Sequence, residues 1–311
     1  MTSSAVIAMA YGTPETPADL EPYYTHIRHG RPPSAELLAQ LRGRYQAIGG
    51  SSPLLEITAA QASGLRAALQ AGGHENVEVL LGMKHAPPFI EDAARDLVLA
   101  GVERVVGLVL APHYSSMSVG EYEGRVAAAL GDGPATPSFA MVRSWATAPG
   151  YVQWLVQAVR AALAQLGQAA ADAEVVFTAH SLPERILATG DPYPDELWAT
   201  AEAVARAAGL GRWSIAWQSA GRTADPWIGP DILEVIPEIA AAGASGIVVC
   251  PAGFVADHLE VLYDLDIEAA AAARALGFPF VRTVAPNADP RLVATLADVV
   301  APLLAREAAR P

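Results

Sequence analysis

A chain of 311 residues, 52% of them hydrophobic, carries enough apolar surface for one large core or for two ordinary domains. Its net charge of −13 argues against nucleic acid as a partner, because phosphate binding calls for a basic face. The single cysteine, Cys250, excludes an internal disulfide framework and any iron–sulfur cluster held by several thiolates.

The first predicted strand, AVIAMA (5–10), has no basic region before it of the kind that opens a secretory signal, and it ends at Tyr11-Gly12. Residues 26–45, HIRHGRPPSAELLAQLRGRY, then gather four arginines and two histidines against one glutamate. The planar forks of Arg28 and Arg44 suit carboxylates, and Tyr45, Ser51 and Ser52 offer neutral hydrogen bonds beside them. Composition alone is equally consistent with surface arginines scattered along a helix. A helical period covers 55–71, and VEVLLGM (77–83) reads as a strand running into Lys84-His85. A second helical stretch, 88–100, leads to the strand RVVGLVLA (104–111), which ends at Pro112-His113-Tyr114.

Pro149 and Gly150 break the pattern within WATAPGY (145–151), and a similar alternation follows. Helical stretches at 150–166 and 195–208 separate the strands EVVFTA (174–179) and WSIAWQ (213–218). The strand GIVVCP (246–251) comes next, and PRLVATLADVVAPLLAREAA (290–309) is the last predicted helix. Continuous apolar strands alternating with helices predict an α/β fold of two similar Rossmann-like domains, each with a parallel sheet of about four strands flanked by helices. The expected boundaries are 1–148, completed by the C-terminal helix 290–311, and 149–289. No apolar run reaches the roughly 18–20 residues of a membrane span, and a cytoplasmic protein is expected. Neither GxGxxG after a strand nor GxxxxGK[ST] is present, so nucleotide binding has no support.

In open parallel sheets the carboxyl ends of the strands form the ligand crevice. His180 lies at such an end, and Glu260 follows the strand GIVVCP. An imidazole with a carboxylate fits a transient divalent metal or a proton acceptor near neutral pH, whereas two ligands are too few for a structural zinc site. In GFVADHLEVLYDLDIEA (253–269), Glu260, Asp264 and Glu268 recur every four residues. Like charges at that spacing destabilise an α-helix by a few tenths of a kcal/mol per pair. A hydrated divalent cation, or an inlet for one, would use them; a solvated acidic face is the plainer reading, and it is the one adopted for Asp257 and Asp266. His258, two residues from Glu260, is expected on another face in a structural role. Tyr11 is either packed or a phenolate ligand, tyrosine being a known axial ligand of haem iron.

The blocks AYGTP (10–14), YYTHIRHGR (23–31), RYQAIGGSSPL (44–54), GMKHAPPFIEDA (82–93), LAPHYS (110–115), TAHSLPERI (178–186), GDPYP (190–194), WQSAGRTADPWIGPD (217–231) and GFVADHLEVLYDLDIE (253–268) occur in order. Through them the chain resembles the ferrochelatases, and among these the coproporphyrin type of Gram-positive and actinobacterial lineages. The resemblance implies two Rossmann-like domains with a porphyrin cleft between them. It implies that His180 and Glu260 are the metal-inserting pair and that Tyr11 ligates the product iron from the opposite face. Arg28, Arg44, Tyr45, Ser52 and Tyr122 fall where the family contacts the porphyrin and its propionates, and Asp264 and Glu268 match an outer metal position. His29 stands where many relatives carry an arginine. The implied reaction is insertion of Fe(II) into coproporphyrin III with release of two protons, in haem biosynthesis. Fe(II) is then a substrate, no cofactor is permanently bound, and a monomer serving a later haem-pathway enzyme is expected. A protoporphyrin ferrochelatase, another tetrapyrrole chelatase and a non-catalytic haem or coprohaem binder are the alternatives.

Overall fold

The computed structural model describes residues 3–133, 136–221, 223 and 225–305, so the end of the predicted C-terminal helix, 306–311, lies outside the described residues. The chain forms two compact units. One contains the residues up to Ala111, Ser118–Trp145 and the residues from Asn287 on; the other contains Pro112–Met117 and Ala146–Pro286.

The first unit begins with β1 (Ser4–Ala10), whose residues Ala5–Met9 are completely buried. A strand without polar alternation has to be covered on both faces, and this one is an inner member of a parallel sheet. Helices α1 (Leu20–Ile27), α2 (Ala35–Ala47) and α3 (Leu54–Ala71) follow, then β2 (Val77–Met83), α4 (Ile90–Leu99), β3 (Arg104–Val109), α5 (Val119–Leu130) and β4 (Ser138–Val142). The sheet order is β2-β1-β3-β4, with every pair parallel.

The second unit starts with α6 (Pro149–Leu166), where proline occupies the first turn, in which its missing N–H costs nothing. It continues through β5 (Glu174–His180), α7 (Tyr193–Ala208), β6 (Trp213–Gln218), α8 (Ile232–Ala241), β7 (Ile247–Cys250), a π-helix (Val261–Ala269), α9 (Ala270–Ala275) and β8 (Phe280–Arg282). Its sheet is again four-stranded and parallel, in the order β6-β5-β7-β8. Val176, Ile247 and Val249 pack with Ile232 and Ile236 of α8 and with Leu265 and Ala269 of the π-helix. Each such side chain, fully buried, contributes about 1.5–3 kcal/mol. The last helix, α10 (Pro290–Ala305), packs on α3 within the first unit, and the Leu303 carbonyl accepts a hydrogen bond from Arg104 of β3 at 3.0 Å.

His113, just beyond β3, is 2% exposed. The Thr200 hydroxyl donates to the Ala146 carbonyl at 2.8 Å, so it accepts from His113 Nε2–H at 2.9 Å. Nδ1 is left buried without a hydrogen-bond partner, and burial depresses the His113 pKa to about 3. An unfolded histidine takes its proton near ~6.5. Between those values the unfolded chain binds more protons than the folded one, so stability falls as the pH drops from about 7 toward 3. Replacing His113 with glutamine should reduce that slope by up to one proton's worth, about 1.4 kcal/mol per pH unit, in urea titrations between pH 7.5 and 5. His85, also depressed to about 3, should supply a residual slope.

Candidate active site

In the second unit, parallel pairing sets His180 beside Gln218 at the carboxyl ends of β5 and β6. The His180 carbonyl accepts the Tyr193 hydroxyl at 3.0 Å, and the Gln218 carbonyl accepts Ser181 N–H at 2.8 Å. The ring's Nδ1 donates to the Ser181 carbonyl. A carbonyl only accepts, so Nδ1 carries a proton and Nε2 holds the lone pair of the neutral ring. Nε2 lies 3.4 Å from Glu260 Oε1, with the two side chains 32% and 29% exposed.

Glu260 meets a second imidazole. His258 Nδ1 donates to the Ala256 carbonyl at 3.0 Å, and its Nε2 lies 3.5 Å from Glu260 Oε2. The expectation that His258 faces away assumed a helix running through it; the residue instead precedes the helix, where helical spacing does not apply. Its signal in the sequence was proximity alone. Burial raises the Glu260 carboxyl, but His180 first and then His258 outweigh this and hold it well below the usual carboxylate range. Burial likewise depresses His180, yet Glu260, the Ser181 carbonyl and Asp264 together raise it above its ordinary value. Each member of the pair thus favours the charged form of the other. With no proton on Nε2, that atom and the carboxylate are nitrogen and oxygen donors at a spacing that one divalent ion can bridge.

Asp264 and Glu268 lie on the π-helix and Glu260 is its N-cap; the wider turn of a π-helix brings positions four apart closer to one face than an α-helix would. The three acids differ in environment. Glu260 is half-buried, Asp264 is 6% exposed and accepts a hydrogen bond from the Ser219 hydroxyl, and Glu268 is exposed. Asp266 and Asp257 are not simply solvated: Arg282 of β8 pairs with Asp266 at 2.6 Å and with Asp257 at 3.2 Å.

The first unit holds the remaining candidates. Tyr11 is 41% exposed at the end of β1. Gly12, at φ +94°, makes the turn after it; a Cβ there would approach Ala86 N to 3.0 Å. Lys84 Nζ lies 5.9 Å from the Tyr11 ring centroid and 5.3 Å from that of Tyr122, with Glu121 at 2.7 Å. Tyr122 is 4% exposed, and burial, reinforced by Tyr11 and Glu121, pushes its phenol well above the usual range. Lys84 thus joins two predicted site residues and was not itself predicted. Tyr45, 3% exposed, has its hydroxyl 3.0 Å from that of Thr13. Ser52 Oγ accepts Leu54 N–H at 3.3 Å, Arg28 caps α1 and donates to the Arg31 carbonyl at 3.2 Å, and Arg44 occupies the last turn of α2. Beside Tyr11, the His85 ring lies with its centroid 4.6 Å away, tilted by 55°. Burial and the neighbouring Lys84 keep His85 neutral, and its Nδ1 lies 2.9 Å from that of His26, one of the two donating to the other.

Two parallel four-stranded sheets flanked by helices make a chelatase-type fold, and solved structures share that fold. An SirB structure from Bacillus subtilis with Fe3+ aligns with 98% of this chain and 96% of its own at a TM-score of 0.59 and 13% identity. DR2241 of Deinococcus radiodurans, a multi-domain protein described as structurally similar to chelatases, aligns with 99% of this chain and 56% of its own at a TM-score of 0.55 and 15% identity. The family is fixed by sequence: the ferrochelatase model matches residues 3–303, and the chain belongs to the ferrochelatase family. Proteins named coproporphyrin III ferrochelatase from Anoxybacillus flavithermus and Halalkalibacterium halodurans are 46% and 44% identical to it, over 97% of this chain and 96–97% of theirs. That of Geobacillus kaustophilus is 42% identical over 99% of this chain and 98% of its own.

The segment carrying Glu260 lies directly against β5. Gly253 N–H donates to the Thr178 carbonyl at 2.9 Å, and a Cβ on Gly253 would come within 2.5 Å of Ala179 Cβ. Gly253→Ala should force the segment off the strand, costing about 1–3 kcal/mol in denaturant unfolding and lowering activity beyond the loss of folded protein.

Proposed function

We propose that this ferrochelatase inserts Fe(II) into coproporphyrin III, with His180 and Glu260 as the catalytic pair. The observation that carries the reading is the pair's geometry: an Nε2 whose proton is exchangeable because Nδ1 is already committed to a carbonyl, 3.4 Å from a carboxylate held ionised. Metallation needs the pyrrole nitrogens stripped of protons and a metal delivered to them. A deprotonated Nε2 can accept the proton, and the carboxylate can stabilise the imidazolium that results. The same two atoms can hold the incoming ion briefly, since so small a donor set binds weakly. His258, on the other carboxylate oxygen, is suited to carry the proton onward. Asp264 and Glu268 extend the acidic path toward solvent as an outer metal station.

Support for the four-propionate porphyrin comes from the relatives' names and from the arginines of the N-terminal segment, whose forks match carboxylates. Arg28, Arg44, Tyr45, Ser52 and Tyr122 are proposed to bind the porphyrin, and contacts remote from the reacting nitrogens can stabilise a distorted ring. Tyr11, exposed and near the Lys84 ammonium, is proposed as the axial ligand of the product iron. We place the protein in the cytoplasm as a monomer that passes its product to a later enzyme. Among the described residues no helix is long and apolar enough to cross a membrane.

Anaerobic metal-insertion assays with coproporphyrin III and protoporphyrin IX test the reading. Turnover should favour coproporphyrin, and binding of either porphyrin with no consumption of iron would refute it. His180→Ala should reduce kcat by at least about 10²-fold while leaving porphyrin affinity within a few fold, as expected for loss of a proton acceptor. Tyr11→Phe should shift the visible spectrum of the ferric product complex, and an unchanged spectrum would remove Tyr11 as its ligand. Arg28→Ala and Arg44→Ala should raise KM more for coproporphyrin than for protoporphyrin.

A further inference from the structure

We infer that Thr178 and Gln218 form a positioning pair that sets the approach of Glu260 to His180; the inference builds on the catalytic pair proposed above. Both residues are completely buried. Thr178 lies two positions before His180 on β5 and therefore projects from the same face. Gln218 is the register partner of His180 on β6. The Gln218 amide spans from one to the other: Oε1 accepts the Thr178 hydroxyl at 2.8 Å, and Nε2 donates to the Glu260 main-chain carbonyl at 3.2 Å.

The direction of this relay is fixed by elimination. The Glu260 carbonyl can only accept, so the NH₂ end of the amide must face it, and the opposite end must then be the oxygen that receives the Thr178 proton. Glu260 is thereby held at both ends, by its backbone through β6 and by its carboxylate at the His180 ring on β5. Residue 260 is also the N-cap of the π-helix, so the same hydrogen bond anchors the entry to the helix on which Asp264 follows. Loss of the threonine hydroxyl leaves the buried amide oxygen without its donor and removes the constraint on amide rotation. Such an unpaired group costs free energy that a shift or flip would relieve. Neither Thr178 nor Gln218 needs to touch metal or porphyrin for this to matter, because a misplacement of about 1 Å can cost on the order of 10²-fold in rate.

The test compares wild type with Thr178→Val, which exchanges the hydroxyl for a methyl of similar shape, Thr178→Ser, which keeps the hydroxyl, and Gln218→Met. Thr178→Val and Gln218→Met should lower kcat for Fe(II) insertion by about 10- to 100-fold, with porphyrin affinity within twofold and the fraction folded at assay temperature unchanged. Thr178→Ser should return kcat to within about threefold of wild type. Wild-type kcat in both disruptive variants, a loss that only tracks unfolding, or a serine variant no better than valine would overturn the inference. A crystal structure of Thr178→Val decides the matter independently of turnover. A displaced Glu260 supports the inference, and a Glu260 still 3.4 Å from His180 Nε2 overturns it. If wild type inserts no metal into either porphyrin, the catalytic reading fails, while that structural comparison still judges the positioning pair.

Discussion

Parallel strand pairing is the constraint from which the site in the second unit follows. Because β5, β6 and β7 run in one direction, their carboxyl ends emerge on one rim. Chain leaving each end supplies a different part: His180 from β5, Gln218 and Ser219 from β6, and the segment 251–260 after β7. Each arrives on a rigid strand and is fixed by main-chain hydrogen bonds to its neighbour, Ser181 N–H to the Gln218 carbonyl and Gly253 N–H to the Thr178 carbonyl. An antiparallel sheet of the same residues would send alternate ends to opposite edges. The side-chain chemistry is thus concentrated by topology before any side-chain contact is made.

In the first unit the parallel rim works differently. Tyr11 and Lys84 leave the paired strands β1 and β2, whose Ala10 and Met83 are register partners. Lys84 is buried by its stem and keeps its ammonium on Glu121, with the faces of Tyr11 and Tyr122 within cation–π range. Next to it the neutral His85 shares a hydrogen bond with His26 of the N-terminal basic segment. The cation shown against Tyr11 is thus Lys84, which lies outside the arginine-rich stretch that composition emphasises.

The sequence made the longer strands legible because they are apolar runs of six or seven residues ending at turn or polar residues, and β1, β2, β5 and β6 lie within a residue or so of the predicted limits. The edge strands β4, five residues, and β8, three residues, were missed, since SFAMV and FVR are too short to carry a period and both follow proline-containing segments. The π-helix was read as an ordinary helix: an extra residue per turn leaves no mark in hydrophobic spacing and is stabilised by packing of Leu265 and Ala269 on the sheet. Asp266 and Asp257 looked like solvent-facing acids because their partner, Arg282, is distant in sequence. His180 and Glu260 were legible as residues at strand ends. That His258 reaches the same carboxylate depends on where the helix starts, the least readable feature of any helix.

The carbonyl contacts at Nδ1 have a consequence for how protons and metal share the site. In both His180 and His258 the Nδ1 proton is committed to a neighbouring main-chain carbonyl, so all exchange must pass through the Nε2 atoms that face Glu260. The protonated form of His180 and the Glu260 carboxylate stabilise each other, so a proton is favoured on the nitrogen that faces the carboxylate. On the proposed reading, a divalent cation entering along Glu268 and Asp264 competes with that proton for the same nitrogen and carboxylate. Arrival of metal and departure of a proton are then coupled at two atoms 3.4 Å apart. The hydrogen bond that holds Glu260's backbone therefore bears on that coupling, because it sets where the carboxylate starts from.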